Sequence, residues 1–401
     1  MSWLLLAWVW GHAPWAQAVP ARAVVRGVPV AMQARLSAAQ ARAASMGRLE
    51  VRGPGGARAA AQWEPAGTGG TGVVRWMAGP GAPAPANAVV GIAPRPSDGV
   101  RAALDPSTGQ VEVREGAARV LRYNAATVEP GDLLQKVSES NRIYARARSN
   151  YIHPLYGPHG EVLTRDWPID HPHHRGIYWA WPEVMFGEEM GDLHALQRVF
   201  ARPVATPKLT SGPVYARVRA ESEWRWEDRI PIAREVAILT IYRASGEGRL
   251  IDLEFRITAL KDGVTVARRG TSHYGGLNIR LAPVTEQSIA THTDPPSAAP
   301  RMAWAELHGT FEGSAAPAGL VVFQHAGNPE YPGDWVQFPE INWFQPTFPT
   351  AGTRYPLRQD VPLVLRYRLW VHDGPPAASA ACTEHWRAYH ADAAPAPHRA
   401  K

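Results

Sequence analysis

The sequence predicts an all-β protein, a large antiparallel β-sandwich with a smaller N-terminal β region. Three observations lead to this prediction. Gly (36) and Pro (37) together make up close to a fifth of the 401 residues, which favours strands joined by turns over a helical bundle. Strand-like runs recur at short intervals between residues 119 and 372. Many of these runs alternate, as in residues 250–257, where Ile251, Leu253, Phe255 and Ile257 share one face.

The first part of the chain, residues 21–124, is rich in Ala, Gly, Pro and Arg. Short strands are predicted at 23–30, 49–52, 73–77, 88–92 and 100–113, and the last of these ranges contains a strong turn signal at 105–109. One helix of one or two turns is predicted within 36–46. Residues 67–72 match G-x-G-x-x-G, but no strand and helix flank them, so a flexible loop is expected rather than a dinucleotide site.

From residue 119 onward the predicted strands become longer. They lie at 119–123, 176–181, 214–226, 235–243, 250–258, 276–281, 319–324 and 363–372, and one helix is predicted at 381–391. Trp224 and Trp226 alternate within one strand and are expected in the core. The expected organisation is a signal peptide at 1–18, an N-terminal β region at 19–120, a sandwich domain at 121–391 and a disordered tail at 392–401.

Composition excludes several classes of function. The sequence has no apolar run of 18 or more residues, so no membrane-spanning helix is expected. The single cysteine, Cys382, excludes a disulfide framework and any multi-cysteine metal site. The formal charge of +6 is too mild and too dispersed to indicate nucleic-acid binding. This charge leaves open whether anionic glycans are selected.

The first residues indicate export. Residues 3–10 form a short apolar block, and Ala16-Gln17-Ala18 provides an A-x-A cleavage site, although no Lys or Arg precedes the block. We expect cleavage after Ala18 and a periplasmic or secreted protein. The alternatives are an incorrectly assigned start codon and a buried N-terminal strand.

The chemistry is expected in residues 164–181. Six of the 15 histidines lie between residues 153 and 194. In an extended chain alternate side chains share a face, so His171, His173 and Arg175 are expected to point together, with His174 opposite.

One hypothesis for this segment is a metal-dependent enzyme. His171 and His173, at i and i+2, would be ligands of a single divalent metal ion, with Asp166 and Asp170 orienting the rings through their second nitrogens. A third ligand would come from one of three other histidines, namely His153, His273 or His325.

A second hypothesis is metal-free chemistry on a sugar. One neutral histidine would remove a proton, another would donate one, and Arg175 would hold a carboxylate or a developing oxyanion. Trp179 and Trp181 would offer flat faces to a pyranose ring. The alternative without function is a buried polar knot in which His, Asp and Arg only satisfy one another's hydrogen bonds.

Two further segments add candidate residues. Residues 269–276 place His273 and Tyr274 at a turn with paired glycines, where they would act as an acid/base pair or simply pack. Residues 325–344 are long, irregular and aromatic, which is typical of a binding rim, and they include Glu340 as a candidate base. The candidate catalytic residues are therefore His171, His173, Arg175, His273 and Glu340. The candidate substrate-binding residues are His153, His174, Trp179, Trp181, Tyr274, His325, Asn328 and Trp335.

Several of these motifs resemble those of the bacterial PmoA-like family of unknown function. The most specific is Asp170-His171-Pro172-His173-His174-Arg175-Gly176, preceded by residues 151–156 and 163–166 and followed by Trp179-Ala180-Trp181. Residues 273–277 and 365–369 also match, and the similarity covers about residues 123–390. The resemblance implies a β-supersandwich similar to galactose mutarotases and polysaccharide lyases. It also implies a role in carbohydrate metabolism, but no established reaction.

The expected function is therefore an exported carbohydrate-active enzyme, a hydrolase, lyase or epimerase, with a sugar or oligosaccharide as its partner. The metal-dependent enzyme and a non-catalytic glycan-binding module are the alternatives.

Overall fold

The computed structural model of the chain describes residues 26–66 and 70–391. The all-β prediction is confirmed, because strands joined by turns dominate these residues and pair in antiparallel sheets. The predicted signal peptide, the tail at 392–401 and residues 67–69 of the glycine-rich loop lie outside the described residues. Within the described part of the chain, no helix has the length and apolar character needed to cross a membrane.

Before Val100, the described residues form two small antiparallel sheets. Their elements are β1 (Pro29–Arg35), α1 (Ala38–Ser45), β2 (Leu49–Arg52), β3 (Arg58–Ala60), β4 (Gln62–Pro65), β5 (Thr71–Met77) and β6 (Val89–Ile92). One sheet has the order β1-β5-β4 and the other β3-β2-β6. The predicted helix forms as α1 because Ser37 and Gln40 build a reciprocal capping box at its start.

The described residues from Val100 onward form two large sheets, one small sheet and two α-helices. In chain order the elements are β7 (Val100–Leu104), β8 (Val111–Glu115), β9 (Ala118–Asn124), α2 (Leu133–Lys136), β10 (Tyr151–Leu155), β11 (Ile177–Ala180), β12 (Glu183–Phe186), β13 (Glu189–Gly191), β14 (Val199–Pro203), β15 (Lys208–Thr210), β16 (Tyr215–Trp226), β17 (Ile230–Tyr242), β18 (Arg249–Ala259), β19 (Val264–Ala267), β20 (Gly276–Arg280), β21 (Val284–Thr293), β22 (Ala303–Phe311), β23 (Ala318–Gln324), β24 (Trp335–Phe338), β25 (Trp343–Pro346), β26 (Tyr355–Pro356), β27 (Leu363–Asp373) and α3 (Ser379–Ala391).

Strand order defines the layers. The eight-stranded sheet runs β24-β25-β20-β11-β10-β9-β8-β7, and the nine-stranded sheet runs β14-β16-β17-β18-β27-β23-β22-β21 with β15 also paired to β16. A small sheet of order β13-β12-β19-β26 completes the domain. Apolar side chains of both large sheets share one buried cluster, as expected for a sandwich.

The alternation predicted in β18 is confirmed. Ile251, Leu253 and Ile257 are at most 1% exposed and belong to the core between the sheets. On the opposite face, Asp252 accepts hydrogen bonds from Arg368 of β27. Trp224 and Trp226 of β16 lie in the core, also as predicted.

The predicted C-terminal helix forms as α3 and covers the outer face of the nine-stranded sheet. Trp386 and Tyr389 of α3 belong to a second buried cluster with Phe323 and Trp370 of the sheet. The guanidinium carbon of Arg368 lies 4.4 Å from the centre of the Tyr389 ring, so the sheet's buried arginine also contacts the helix.

The N-terminal sheets end earlier than the expected boundary at residue 120. That boundary falls inside β9, because β7, β8 and β9 are strands of the large eight-stranded sheet. Gln62 links the small sheets to the domain by accepting hydrogen bonds from the backbone of Val214 and Tyr215, and Glu64 pairs with Arg217.

Candidate functional site

The histidine-rich segment between β10 and β11 is a pair of turns rather than a strand. The backbone N–H of His171 donates to Pro168 O, and that of His174 donates to His171 O. The predicted alternation is therefore wrong. The rings of His171, His173 and His174 pack on one another, with centroids 4.6–5.9 Å apart, instead of dividing between two faces.

A turn at Gly176 leads into β11, and the side chain of Arg175 before it lies away from the histidines. Gly176 has φ +67°, and a Cβ there would lie 2.2 Å from Ile152 O, so the turn requires glycine. Arg175 is fully buried, and its Nε donates to Asp166 Oδ1 at 2.5 Å while Nη2 donates to Tyr151 Oη. Arg175 and Asp166 thus form a separate buried pair and do not orient the imidazoles.

His194 completes the cluster, and sequence reasoning did not select it. Its ring centroid lies 5.0 Å from that of His173 and 5.4 Å from that of His174. One ring nitrogen from each of His173, His174 and His194 lies within 4.8 Å of the others. The only sequence signal was its place at the end of the histidine-rich stretch.

His194 lies in the loop after β13, and contacts with Trp181, Arg148 and Tyr178 fix its position. The backbone N–H groups of Leu193 and His194 both donate to Trp181 O. Arg148 Nη2 donates to Leu193 O at 2.7 Å and to His194 O at 2.6 Å. The hydroxyl of Tyr178 lies 3.1 Å from His194 Nε2. These contacts fix the ring through one nitrogen.

The three clustered imidazoles are neutral at physiological pH. Burial, together with nearby His171 and Arg148, lowers the pKa of His173 to about 3. Burial and the neighbouring histidines also hold the pKa values of His174 and His194 well below their usual range. Neutral imidazole is the form that binds divalent metal ions.

The Nδ1 atoms of His173, His174 and His194 are all buried and have no hydrogen-bond partner among the described residues. A buried polar cluster in which the side chains only satisfy one another's hydrogen bonds does not explain why these three atoms lack a partner. Three imidazole nitrogens around one zinc ion would lie about 3.4 Å apart, whereas those of the cluster lie within 4.8 Å of one another, so the rings would have to move closer to hold a metal.

The predicted metal pair therefore changes. His173 belongs to the cluster, but His171 does not. The side chain of His171 is 42% exposed, and its Nδ1 lies 2.8 Å from Asp170 Oδ2. Asp170, which was predicted to orient a metal-binding histidine, instead contacts His171 at the edge of the three-histidine cluster.

Aromatic rings enclose the cluster. Tyr274, a predicted site residue, is brought next to it, and Arg269 connects the Tyr274 hydroxyl (3.3 Å) with Asp192 (2.7 Å). The ring contacts are Tyr144 with His173 (5.4 Å), Trp343 with His174 (5.9 Å) and Tyr274 with His194 (5.2 Å).

A cleft of about 510 Å³ lies beside the cluster. Asp170, Arg280 and Asn342 line it. Asp170 contacts His171, and Asn342 precedes Trp343, whose ring stacks on that of His174. The size is that of a small-molecule site.

The two predicted sugar platforms are core residues. Trp179 and Trp181 are 4% and 0% exposed, and their rings stack on each other at 5.2 Å. Trp179 also packs on Phe255, and Trp181 on Trp224, in the core between the large sheets. Neither ring has a free face for a pyranose, so the structure corrects this assignment.

The other predicted residues are not brought to the cluster by any contact in the structure. His273 and Glu340 are exposed, with His273 Nδ1 3.0 Å from Arg269 O. His325 stacks on His390 of α3 at 4.6 Å. The remaining three make local contacts: His153 with Thr164 Oγ1, Asn328 with the backbone of Arg366, and Trp335 with Thr293 Oγ1.

Comparison with known proteins places the chain in a family but supplies no function. No curated protein and no solved structure matches it. The model of a family of unknown function, DUF6807, matches residues 110–387, a range that contains the histidine cluster, the cleft and nearly all strands of the two large sheets. The chain belongs to this family, DUF6807.

Proposed function

We propose that the protein is a metal-dependent enzyme in which His173, His174 and His194 hold a single divalent metal ion. The observation that carries the proposal is the convergence of three buried imidazoles with unpartnered nitrogens. Three protein ligands are typical of catalytic zinc sites, which keep a fourth position for water or substrate. A metal held by these three histidines would polarise a substrate oxygen.

The contact of His194 with Tyr178 supports this role. Metal-binding histidines usually engage their second nitrogen in a hydrogen bond, which fixes the ring and its tautomer. The Tyr178 hydroxyl, 3.1 Å from Nε2, supplies that bond and leaves Nδ1 of His194 for the metal.

The pair of His171 and Asp170 is the acid/base candidate in this proposal. It lies at the edge of the cluster, and the ring of His171 stacks on that of His174 at 4.9 Å. A carboxylate that holds one nitrogen of an imidazole leaves the other nitrogen to exchange a proton with substrate. Of the predicted catalytic residues, His171 and His173 thus keep roles at the site.

A carbohydrate substrate is the second part of the proposal. Its support is the resemblance of the Asp170–Gly176 block and the flanking motifs to the PmoA-like family and, through it, to mutarotase- and lyase-like supersandwiches. The reaction classes are hydrolysis, elimination and epimerisation, in each of which a metal or an acid/base pair acts on a sugar oxygen or on an adjacent proton.

The metal-free acid/base enzyme remains the second candidate, and the His171–Asp170 pair is the observation that favours it. In that case His173 is not the acid, because its pKa of about 3 leaves no proton to donate at neutral pH.

Export is part of the proposal as well, on the strength of the A-x-A site at Ala18. N-terminal sequencing of the protein recovered from the periplasm of an expressing bacterium tests it. Cleavage after Ala18 is expected, whereas an intact N-terminus in the cytoplasm would contradict export.

Elemental mass spectrometry of the protein, purified without a histidine tag, tests the metal. We expect about one equivalent of zinc, manganese, iron or another divalent metal that resists dialysis. His173→Ala, His174→Ala and His194→Ala should each lose it while circular dichroism shows an intact fold. His159→Ala is the matched control, because His159 is exposed and outside the cluster. Metal that survives in all three variants, or none in the parent protein, would overturn the proposal.

A further inference from the structure

Arg280 is a buried cation without an adequate counter-charge. It is 6% exposed at the end of β20, and its Nη2 makes only a 3.5 Å contact with Asp170 Oδ2. Its Nε and Nη1 are buried and have no hydrogen-bond partner among the described residues. Burying a charge with only one long contact to a counter-charge is destabilising, so stability alone does not explain why the fold keeps Arg280 here.

The nearby carboxylates do not balance the charge. Asp170 is shared between Arg280 and His171, and Asp192 pairs with Arg269 at 2.7 Å. Arg148 is a second buried cation, and the hydrogen bonds it makes go to neutral backbone carbonyls. A divalent metal on three neutral histidines would add two more positive charges. Two carboxylates, of Asp170 and Asp192, thus face three guanidinium groups, of Arg280, Arg269 and Arg148.

The cleft provides the space for the missing anion. Arg280 and Arg165 line it together, with the amides of Asn141 and Asn342 and the apolar side chain of Ile169, which is 54% exposed. Guanidinium groups bind planar carboxylates through paired N–H donors, and amides and an apolar face suit a polyhydroxy ring.

We propose that the cleft binds a carboxylate-bearing sugar, a uronate, with its carboxylate on Arg280 and its ring toward the histidine cluster. The choice of a carboxylate over a phosphate follows from Asp170, whose half-exposed side chain lies in the same cleft and repels a dianion more strongly than a monoanion. This inference deepens the proposed function by naming the substrate class, and its ring placement rests on that function.

Isothermal titration tests the inference with four sugars and two simple anions. Glucuronate and galacturonate are each compared with the neutral sugar of the same configuration, glucose or galactose, and acetate and inorganic phosphate are titrated alongside. At least one uronate should bind at least tenfold more tightly than its neutral partner, and more tightly than acetate or phosphate. Equal binding of uronate and neutral sugar, or preference for acetate or phosphate, would overturn the inference.

Three variants assign the effect to the residue. Arg280→Met should remove the preference for the uronate without lowering the melting temperature, because the buried guanidinium that it removes makes only one 3.5 Å contact, with Asp170. Arg280→Lys should keep part of the preference. Arg229→Met, at an exposed arginine outside the cleft, is the control and should behave like the parent protein. A preference that persists in Arg280→Met would also overturn the inference.

Titrations before and after treatment with EDTA separate this inference from the proposed function. If the protein binds one metal but shows no preference for uronates, the substrate inference fails and the metal centre stands. If no metal binds and the preference for uronates still depends on Arg280, the metal centre fails and the cleft assignment stands.

Discussion

The hydroxyl of Tyr178 lies 3.1 Å from Nε2 of His194, and the guanidinium carbon of Arg148 lies 4.6 Å from the centre of the Tyr178 ring. Arg148 also binds the carbonyl of His194, so one arginine fixes both the backbone of this histidine and the residue that orients its ring. Two side chains from separate parts of the chain, Arg148 and Tyr178, thus place the histidine that completes the cluster.

Tyr178→Phe should weaken metal binding while the fold remains. The substitution removes the hydrogen bond to His194 Nε2 but keeps the ring that is buried under Arg148. Loss of such an outer contact typically lowers metal affinity 10–100-fold. Competition against a chromophoric chelator measures the affinity.

The control for this variant is Tyr242→Phe. Tyr242 is also a buried tyrosine. It belongs to the buried cluster under α3, away from the histidines, and its hydroxyl donates to Asp252. Its metal affinity should equal that of the parent protein. Equal affinities in Tyr178→Phe and Tyr242→Phe would remove Tyr178 from the account.

Gly176→Ala should destabilise the fold more than Gly160→Ala. Both glycines have a positive φ, +67° and +87°, and alanine in this region costs about 1–2 kcal/mol. Only at Gly176 would the new Cβ meet backbone, 2.2 Å from Ile152 O, whereas nothing lies within 4 Å at Gly160. Urea denaturation should therefore show an additional loss of at least about 1 kcal/mol for Gly176→Ala. Equal losses would mean that the turn after Arg175 adapts freely.

Trp181→Ala should unfold or strongly destabilise the protein rather than selectively remove glycan binding. Trp181 is fully buried, and its indole N–H donates to Phe348 O at 2.7 Å. Removal of a buried tryptophan costs about 3–5 kcal/mol. Trp335→Ala, at a half-buried ring on β24, should cost less. A Trp181→Ala protein that keeps its unfolding midpoint but loses sugar binding would restore the platform role predicted from the sequence.

Acid should destabilise the packing of α3 against the sheet. His385 is 4% exposed and stacks on Trp370 at 4.1 Å, and burial together with Arg368 lowers its pKa to about 4. As pH falls below about 6.5, the unfolded chain binds this proton before the folded protein does, so stability falls until the pH reaches about 4. The contribution of His385 lost at pH 5 is about 2 kcal/mol.

His385→Phe isolates this effect, because it keeps an aromatic ring next to Trp370 and removes the titration. Urea unfolding at pH 7.5, 6 and 5 should show a shallower pH dependence in this variant than in the parent protein. The buried histidines of the cluster add to the slope in both proteins, so the difference between the slopes is the measured quantity. Identical slopes would exclude His385 as a contributor. His159→Gln, at an exposed histidine, should leave the slope unchanged.

The strands of the core were predictable because one face of each is buried. The alternation in residues 250–257 reports the core directly. The strands that were missed lack this pattern for physical reasons. β21 is an exposed edge strand of Thr, Glu and Gln, and β22 buries Glu306 and His308, which bind His372 and Gly374 O respectively.

The site was predictable only in part. The histidine-rich segment was identified, but its register was wrong because turns at Pro168 and Gly176 break the extended chain on which alternation depends. His194 was missed because its position depends on the long-range contacts with Trp181 and Arg148, which leave no local sequence pattern.

An anomalous difference map from a crystal of the protein, collected on both sides of the absorption edge of the metal found by elemental analysis, tests the central claim most directly. The account predicts one peak with ring nitrogens of His173, His174 and His194 about 2.0–2.3 Å away. A peak on other residues, or no peak at this cluster in protein that contains one equivalent of metal, would contradict it.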